Sequence, residues 1–136
     1  MKSFKEFLTE QMMGININDD SNPWTDWILS GKKTIETRNK PTLNAYIGKR
    51  VGIIKTGKRK KAMLVGYATI GQPIKYESPE QFNKDYKKHR VEPTNVLFNG
   101  GIKYGYPLTD VESVEPKPIN TKGIISRRLE ECYEQI

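Results

Sequence analysis

Apolar residues recur along this chain at two spacings, one typical of helices and the other typical of strands. Intervals of three and four residues place apolar side chains on one helix face in four segments. The predicted helices are residues 1–10, residues 23–30 before Gly31, residues 78–89 and residues 127–135. Pro23 and Pro79 fit the first helical position. The predicted caps are Ser21 or Asn22 for one helix and Ser78 for the other, with Gln81 reaching back.

Alternating apolar and polar residues, many of them β-branched, predict strands instead. The predicted strands are residues 33–38, 51–55, 62–70, 104–114 with a bend near Pro107, and 124–126, with a short one around Ile15 and Ile17. Residues 56–61 form a hairpin tip, and residues 116–118 form an edge or turn because two of them are prolines. Strands outnumber helices, and most connections are hairpins. We therefore expect an α+β fold with a small, mixed, mostly antiparallel β-barrel and a few flanking helices.

Length and composition limit the class of protein. The chain has 136 residues, which suits one domain, and we place it at residues 14–136 after an amphipathic leader at residues 1–13. The single cysteine, Cys132, excludes an intrachain disulfide, and one cysteine with one histidine is too few for a typical zinc site. We expect no metal and no cofactor. Because we find neither a membrane-spanning apolar stretch nor a secretory signal, we expect no membrane partner and no secretion.

The net charge of +7 is concentrated in the middle of the chain. Residues 21–76 contain 12 basic and 2 acidic side chains, whereas the segments on both sides are slightly acidic. This concentration favours a polyanionic partner, with nucleic acid as the first candidate and a solvated basic face as the alternative. The hairpin tip would contact phosphates without regard to sequence, or would serve only as a solubilising turn. Its basic residues are Lys55, Lys58, Arg59, Lys60 and Lys61.

The densest group of reactive side chains lies on the predicted strand at residues 33–38. Alternation places Thr34, Glu36 and Arg38 on one face and Lys33 on the other. Arg38 offers a planar donor fork for phosphate or carboxylate. Glu36 can accept from base amino groups or orient a basic side chain. Lys33, at the corner between helix and strand, could reach the same cleft. The alternative is an Arg38–Glu36 pair that only holds the sheet to a helix.

Aromatic residues accompany this group. Trp24 can stack on a base, which is worth about 1–3 kcal/mol in single-strand binders, or it can fill the core, the interpretation that we favour for Trp27. Tyr104 and Tyr106 flank a glycine on a strand. Either one of them faces the cleft, or both pack across strands. We interpret His89 as a helix-end side chain and not as a catalyst.

The stretch from Pro23 to Arg38 resembles the ASCH family, whose fold is PUA-like. The family's hallmark is an apolar-aromatic helix followed by a G-x-K-x-x-E-x-R strand. In this chain Gly31, Lys33, Glu36 and Arg38 match that pattern. The resemblance continues in order over about residues 14–127. Its later segments are Tyr46–Ile54, Leu64–Ile70, Lys103–Asp110, Glu115–Pro118 and Lys122–Gly123.

This resemblance implies RNA binding, which is common among PUA-like domains, in a cleft beside the motif. Some small bacterial members are amidohydrolases of N4-acetylcytidine that use a lysine and a threonine of the motif and a distal glutamate. Lys33 matches that lysine, but Glu36 stands where the nucleophilic threonine is expected, and a carboxylate there would act as a base. Thr34 and Thr37 lie off that position. Glu92 lies in a stretch that resembles the distal region.

The first ten residues, MKSFKEFLTE, resemble the capsid-targeting leaders of internal head proteins in large contractile-tailed bacteriophages. A prohead protease cuts those leaders after an apolar residue, any residue and a glutamate, and Leu8-Thr9-Glu10 matches that site. The resemblance implies cleavage after Glu10, a capsid scaffold and the prohead protease as partners, and a location in the host cytoplasm or inside the virion head. The alternative is a helix that packs on its own domain.

These features together predict a phage-encoded binding module for RNA or a nucleotide. Its predicted ligand-binding residues are Trp24, Lys33, Thr34, Glu36, Arg38 and Tyr104. The first alternative is an amidohydrolase of a modified nucleoside such as N4-acetylcytidine, with Lys33 and Glu36 as its catalytic residues. The second alternative is an internal phage head protein with no ligand.

Overall fold

The computed structural model describes residues 13–92, 102–119 and 126–128. In chain order the elements are β1 (Met13–Asn18), α1 (Trp24–Ser30), β2 (Ile35–Arg38), a 3-10 turn (Asn44–Tyr46), β3 (Arg50–Gly57), β4 (Lys60–Ile70), β5 (Ile74–Tyr76), α2 (Pro79–Lys84), α3 (Tyr86–His89), β6 (Lys103–Pro118) and β7 (Ser126–Arg128). Residues 1–12 of the predicted leader, with its cleavage site at Glu10, and most of the predicted C-terminal helix lie outside the described residues.

These strands form one sheet in the order β2–β6–β4–β3–β1–β7, and β5 also pairs with β6. β1 runs parallel to β3, with Gly14 opposite Gly52 and Asn18 opposite Thr56. The other pairings are antiparallel. The predicted α+β class with a mixed, mostly antiparallel sheet is confirmed. The short strand β5, between β4 and α2, was not predicted.

The sheet curls into a half-barrel that brings β1 close to β2, the strand at one end of the order. β1 and β2 lie four positions apart in the strand order, which would separate them by about 19 Å in a flat sheet. Nevertheless the guanidinium of Arg38 on β2 donates to the Asn16 carbonyl of β1 over 3.0 Å. The two strands are therefore brought together by curvature and by this side chain. We call the gap between them the seam.

An apolar core fills the curled sheet and fixes its curvature. Ile28 of α1 is completely buried in this core, and Leu29 packs at its margin. Gly66 of β4 lets α1 approach, because a Cβ there would collide with the Leu29 side chain and the Glu112 carbonyl. Each large buried side chain contributes roughly 1.5–3 kcal/mol. The buried members are Ile15, Ile17, Ile28, Leu43, Val51, Ile53, Val65, Ala68, Ile70, Tyr106 and Leu108.

β6 is longer than predicted and connects the two halves of the sheet. Its first half pairs with β2 and β5, and its second half pairs with β4 as far as Pro118 opposite Met63. Residues 116–118, predicted to form an edge or a turn, therefore lie in a strand and form no turn, and the edge is the alternative that the pairing supports. In the described ranges this half of β6 pairs with β4 alone. Proline has no backbone N–H to donate, and on the side of β6 without a neighbouring strand no such donor is required. An irregular pairing at Asp110, whose φ is 50°, follows the predicted bend at Pro107.

Helix α1 begins differently from the prediction. Neither Ser21 nor Asn22 caps it, and Pro23 precedes its first turn. The Asp19 carboxylate accepts instead from the Thr25 N–H over 3.2 Å and from the Thr25 hydroxyl over 2.5 Å. Because Asp19 follows β1 directly, its bonds to Thr25 join the end of that strand to the start of the helix. The helix ends as predicted, at Gly31 with a φ of 86°.

The β3–β4 hairpin has a tighter turn than predicted. β3 continues to Gly57 and β4 begins at Lys60, so only Lys58 and Arg59 form the turn, with a φ of 61° at Arg59. The Asp20 carboxylate accepts from the Lys58 N–H over 2.9 Å. This acceptor lies on the segment after β1 and holds the turn against the start of α1. The predicted tip at residues 56–61 was too wide for that reason.

The predicted helix at residues 78–89 is two short helices that meet at Asp85. The Asp85 carboxylate accepts from the Tyr76 hydroxyl over 2.6 Å, which fixes this break. The predicted Ser78 cap is confirmed by its bond from the Gln81 N–H. Near the C-terminus, Arg127 belongs to β7, so the predicted helix cannot begin there. The predicted strand at residues 124–126 overlaps β7 at Ser126, and its first two residues lie outside the described ranges. Within the described residues, no helix is both long and apolar enough to span a membrane.

Candidate ligand-binding cleft

A cleft of about 440 Å³ opens along the seam between β1 and β2. This volume suits a small organic ligand. Four of the six residues predicted to bind a ligand line it, and Thr34 and Tyr104 are not among the lining residues. The lining residues are Asn16, Ile17, Asn18, Ser21, Trp24, Lys33, Glu36, Thr37, Arg38 and Val91.

Lys33 turns into the cleft because the chain enters β2 later than predicted. Its backbone N–H donates to the Trp27 carbonyl over 2.9 Å, and β2 begins only at Ile35. The strand alternation therefore does not extend back to Lys33. The face that alternation predicted for Lys33 was wrong, whereas the expectation that it reaches the same cleft as Glu36 from the corner is confirmed. Thr34 is the residue that points outward, and its N–H donates to the Lys88 carbonyl over 2.8 Å.

The Lys33 ammonium lies at the centre of a buried group. It donates to the His89 carbonyl over 2.5 Å and lies 3.8 Å from a Glu36 carboxylate oxygen. It also lies 4.8 Å from the centroid of the Trp24 ring, within range of a cation–π contact. Burial lowers the pKa of Lys33 to about 8, although Glu36 opposes that change. Lys33 can therefore give up its proton under mildly alkaline conditions.

Glu36 lies between two cations. One carboxylate oxygen faces Lys33, and the other lies 3.0 Å from the Arg38 guanidinium. The side chains of Glu36 and Arg38 are only 10% and 16% exposed, so this pair is largely removed from solvent. Lys33 and Arg38 together outnumber the single carboxylate. The cleft therefore has a net positive charge at its base when Lys33 is protonated.

Two residues of the cleft retain unused hydrogen-bonding capacity. Asn16 Oδ1 and Arg38 Nε are buried, and neither has a hydrogen-bond partner among the described residues. Buried polar atoms in folded proteins almost always have a partner, and an exception in a cleft indicates a place for a ligand or water. A small rotation of either side chain would direct one acceptor and one donor toward a bound molecule.

Sequence reasoning missed several lining residues. Asn16 and Asn18 lie on β1, and their signal was the alternation of asparagine with Ile15 and Ile17, which predicted a strand with one polar face. These asparagines come close to β2 only because the sheet curls, and no local sequence pattern predicts that contact. Thr37 also lines the cleft. Strand alternation had predicted Thr37 on the face opposite Glu36. Thr37 nevertheless lines the cleft, because β2 is the strand at one end of the order.

His89 supports the cleft from behind. It is the last residue of α3, as predicted, but it is completely buried and stacks on Phe82 with 3.9 Å between ring centroids. Its Nδ1 accepts from the Val91 N–H, and its Nε2 lies 2.7 Å from the Phe82 carbonyl, so the ring is neutral with its proton on Nε2. Burial lowers the pKa of His89. Because the His89 ring is fixed, the backbone carbonyl of His89 is held where it accepts from the Lys33 ammonium.

The aromatic residues divide between cleft and core. Trp24 forms one wall of the cleft and meets Trp27 edge to face, with 5.4 Å between ring centroids. Tyr106 is completely buried, and its hydroxyl donates to the Asn44 side chain over 2.7 Å. Tyr104 packs against the same core. Of the two candidate tyrosines, therefore, neither lines the cleft.

The basic hairpin tip lies beside the cleft but is separated from it by two carboxylates. A smaller depression joins Lys55 and Lys60 to Asp19 and Asp20, and it reaches the cleft only through Ser21. Lys58 and Arg59 are exposed at the turn itself. Within the described residues, no three His, Cys, Asp or Glu side chains are grouped so that they could hold a metal ion.

Comparison with known proteins identifies the family. The model of the ASCH domain matches residues 21–124, which is more than half of the chain. This chain therefore belongs to the ASCH domain family, and the resemblance found in the sequence is confirmed. The match includes α1, β2 and the hairpin, and it begins after β1. No curated protein matches the chain in sequence.

Solved structures agree on the fold. A crystal structure of ASCH from Zymomonas mobilis is similar with a TM-score of 0.64 and 17% sequence identity, over 89% of this chain and 76% of that chain. Two variants of that protein, a tyrosine-to-phenylalanine and a serine-to-alanine mutant, also match with a TM-score of 0.64. They are 18% and 19% identical, over 79% of this chain and 76% or 74% of theirs. At this identity the likeness concerns the fold alone, and it confirms the predicted PUA-like architecture.

Proposed function

We propose that this ASCH-domain protein binds RNA or a nucleotide in the cleft at the seam. The observation that carries the proposal is the buried group of Lys33, Glu36 and Arg38 beneath the wall formed by Trp24. A structural ion pair needs neither a third charge nor an open cleft beside it. A nucleotide needs an aromatic surface for its base and fixed donors and acceptors for its polar edges.

Arg38 is the residue through which to test binding, because it retains a free donor and its partner Asn16 retains a free acceptor. Its removal should weaken binding roughly 10- to 100-fold, since a hydrogen bond to a charged group contributes about 1.5–3 kcal/mol. Fluorescence anisotropy with labelled single-stranded RNA and calorimetry with nucleoside monophosphates would measure this. No binding at low salt, or unchanged binding by Arg38→Ala, would overturn the proposal.

Arg50 provides a matched control for that experiment. It also pairs with a glutamate, Glu112, and also donates to a backbone carbonyl, that of Asp110. It does not line the cleft. Arg50→Ala should therefore leave binding unchanged. If Arg38→Ala unfolds the protein, Arg38→Lys keeps the charge without the planar fork and tests the same contact.

The second candidate function is hydrolysis of an acylated nucleoside amine such as N4-acetylcytidine. The lowered pKa of Lys33 favours it, because an acid with a pKa near 8 can donate a proton efficiently near neutral pH. In this proposal the Glu36 carboxylate takes a proton from water, and the resulting hydroxide attacks the acyl carbon. The C–N bond breaks, and Lys33 donates a proton to the leaving amine. The products are the free nucleoside and the carboxylic acid.

Incubation with N4-acetylcytidine, followed by chromatography for cytidine, tests this candidate. Turnover should disappear in Lys33→Ala and in Glu36→Gln. The rate should also fall above pH 8, because Lys33 must be protonated to act as the acid. Absence of product from acetylated and longer acyl nucleosides would exclude the hydrolase. Binding without turnover would leave the binding module as the function.

The phage origin is a separate proposal that depends on residues 1–10 alone. The leader would direct the protein to the capsid scaffold, and the prohead protease would then remove it after Glu10. Mass spectrometry of virions from the source phage should find a peptide that begins at Gln11. An intact N-terminus in virions would contradict cleavage, and absence from virions would favour a host cytoplasmic location.

A further inference from the structure

The cleft has a second basic margin that the sequence did not single out. Lys32 and Arg90 are the chain neighbours of Lys33 and Val91, which both line the cleft. The Arg90 guanidinium donates to the Lys32 carbonyl over 3.0 Å, and this bond joins the two segments. Lys87 and Lys88 extend the same surface along α3, and both are exposed. We call Lys32, Lys87, Lys88 and Arg90 the helix-side patch.

Aromatic rings accompany the cations of this patch. The Lys32 ammonium lies 4.3 Å from the centroid of the Trp27 ring, and the Arg90 guanidinium lies 6.0 Å from that of Tyr86. Cations interleaved with aromatic rings are the usual surface for single-stranded nucleic acid, because phosphates meet the charges and bases stack on the rings. By contrast, the residues that line the depression beside the hairpin include charged, polar and proline residues but no aromatic one.

Acidic residues differ in position on the two margins. On the hairpin side, Asp19 and Asp20 lie between the cleft and the lysines, so a phosphate chain leaving the cleft would meet them first. On the helix side, Lys32 and Arg90 are chain neighbours of the cleft residues Lys33 and Val91. The Glu92 carboxylate, which accepts from the Tyr86 hydroxyl over 2.5 Å, also follows Val91 in the chain. The four cations of the helix-side patch outnumber it.

We propose that the backbone of a single-stranded RNA reaches the cleft across the helix-side patch. This inference rests on the proposed binding function and adds to it the path that the RNA backbone follows. The nucleotide in the cleft is held by the seam residues, and the nucleotides that flank it lie along Lys32, Lys87 and Lys88. The patch therefore strengthens the binding of RNA chains and leaves the binding of a mononucleotide unchanged.

Two triple variants of equal charge test the path. One is Lys32→Gln/Lys87→Gln/Lys88→Gln, and the matched control is Lys58→Gln/Arg59→Gln/Lys60→Gln. Anisotropy with a fluorescein-labelled 12-mer of uridine, measured over a series of KCl concentrations, gives the affinity and its salt slope. We expect the helix-side variant to lose about 2 units of slope, since each phosphate contact on a single strand contributes about 0.7. The hairpin variant should match the wild type.

Different outcomes separate the path from the binding function. If the hairpin variant loses as much affinity as the helix-side variant, or if the helix-side variant binds like the wild type, the path is overturned. Weaker binding by Arg38→Ala would still support the cleft in that case. If the wild type binds no RNA, both proposals are overturned. Calorimetry with uridine monophosphate should give the same affinity for the wild type and the helix-side variant, and a loss there would also contradict the path.

Discussion

Two arginine–glutamate pairs in this molecule have the same chemistry and opposite surroundings. Arg38 and Glu36 lie in the cleft, 3.0 Å apart and 16% and 10% exposed. Arg50 and Glu112 bridge β3 and β6 at a shorter distance, 2.6 Å, but they are 32% and 60% exposed. Each arginine also donates to one backbone carbonyl. The shorter contact is therefore the one that water surrounds.

The difference shows that distance is a poor guide to the importance of an ion pair. An exposed pair is screened by water and typically contributes about 0–1 kcal/mol. A buried pair has lost its hydration, so each partner depends on the other. The cleft adds a third charge, Lys33, which lies 3.8 Å from Glu36. The buried pair is accordingly part of a site, whereas the exposed pair only joins two strands.

The largest effect should follow from removal of the central carboxylate. Glu36→Ala leaves Lys33 and Arg38 buried without a counter-charge, and we expect the free energy of unfolding to fall by roughly 3–5 kcal/mol. Urea denaturation at pH 7 measures it. Glu112→Ala is the matched control and should cost less than about 1 kcal/mol. Equal losses in the two variants would show that burial does not distinguish the pairs.

The next effect concerns pH and is specific to the buried site. The pKa of Lys33 is about 8 in the fold and about 10.4 in an unfolded chain. Between these values the unfolded chain holds more protons, so stability rises with pH. We expect a gain of up to about 3 kcal/mol across this window relative to Lys33→Met.

Denaturation of both proteins from pH 7 to pH 9.5 would detect most of this gain. Tyrosine titration affects wild type and Lys33→Met alike, so the difference between them isolates the lysine. Arg50→Ala keeps Lys33, so its stability should rise with pH as that of the wild type does, and the difference between these two proteins should stay constant. A constant difference between wild type and Lys33→Met over this range would contradict the lowered pKa.

The smallest effect should appear in the coupling energies of the two pairs. A double-mutant cycle with Glu36→Ala and Arg38→Ala should give about 1–3 kcal/mol, as is typical for contacting residues in one network. The cycle with Glu112→Ala and Arg50→Ala should give about 0.2–1 kcal/mol. The two cycles remove the same atoms, so they compare only the surroundings. A larger coupling at the exposed pair would reverse our interpretation.

The fold class could be predicted from the sequence because it depends on local patterns. Alternation along residues 33–38 and 62–70 and the stop at Gly31 each act within one element, and the structure confirms these elements. The closeness of Glu36 and Arg38 also follows from a period of two. The orientation of Lys33 was predicted wrongly, because one hydrogen bond to the Trp27 carbonyl delays the start of β2.

The contacts that complete the cleft could not be predicted in the same way. Asn16 meets Arg38 only because the sheet curls, and the His89 carbonyl meets Lys33 only because two short helices replace one long one. The break between these helices depends on the bond from Tyr76 to Asp85. Each contact joins residues far apart in sequence, where no periodic signal exists. The capping of α1 by Asp19 was missed for a related reason, since the cap lies several residues before the helix.

The seam also has a consequence for the order of folding. β3 and β4 form a hairpin, which closes a short loop, whereas β1 and β2 come together only when the whole sheet has curled. The Lys33 ammonium and the His89 carbonyl are 56 residues apart in the chain, and closing a loop of that length slows the formation of a contact. We therefore expect the binding cleft to assemble late, so that its contacts govern how fast the protein unfolds more than how fast it folds. A molecule bound across β1 and β2 would therefore slow the unfolding of the protein, because these two strands must separate when the barrel opens.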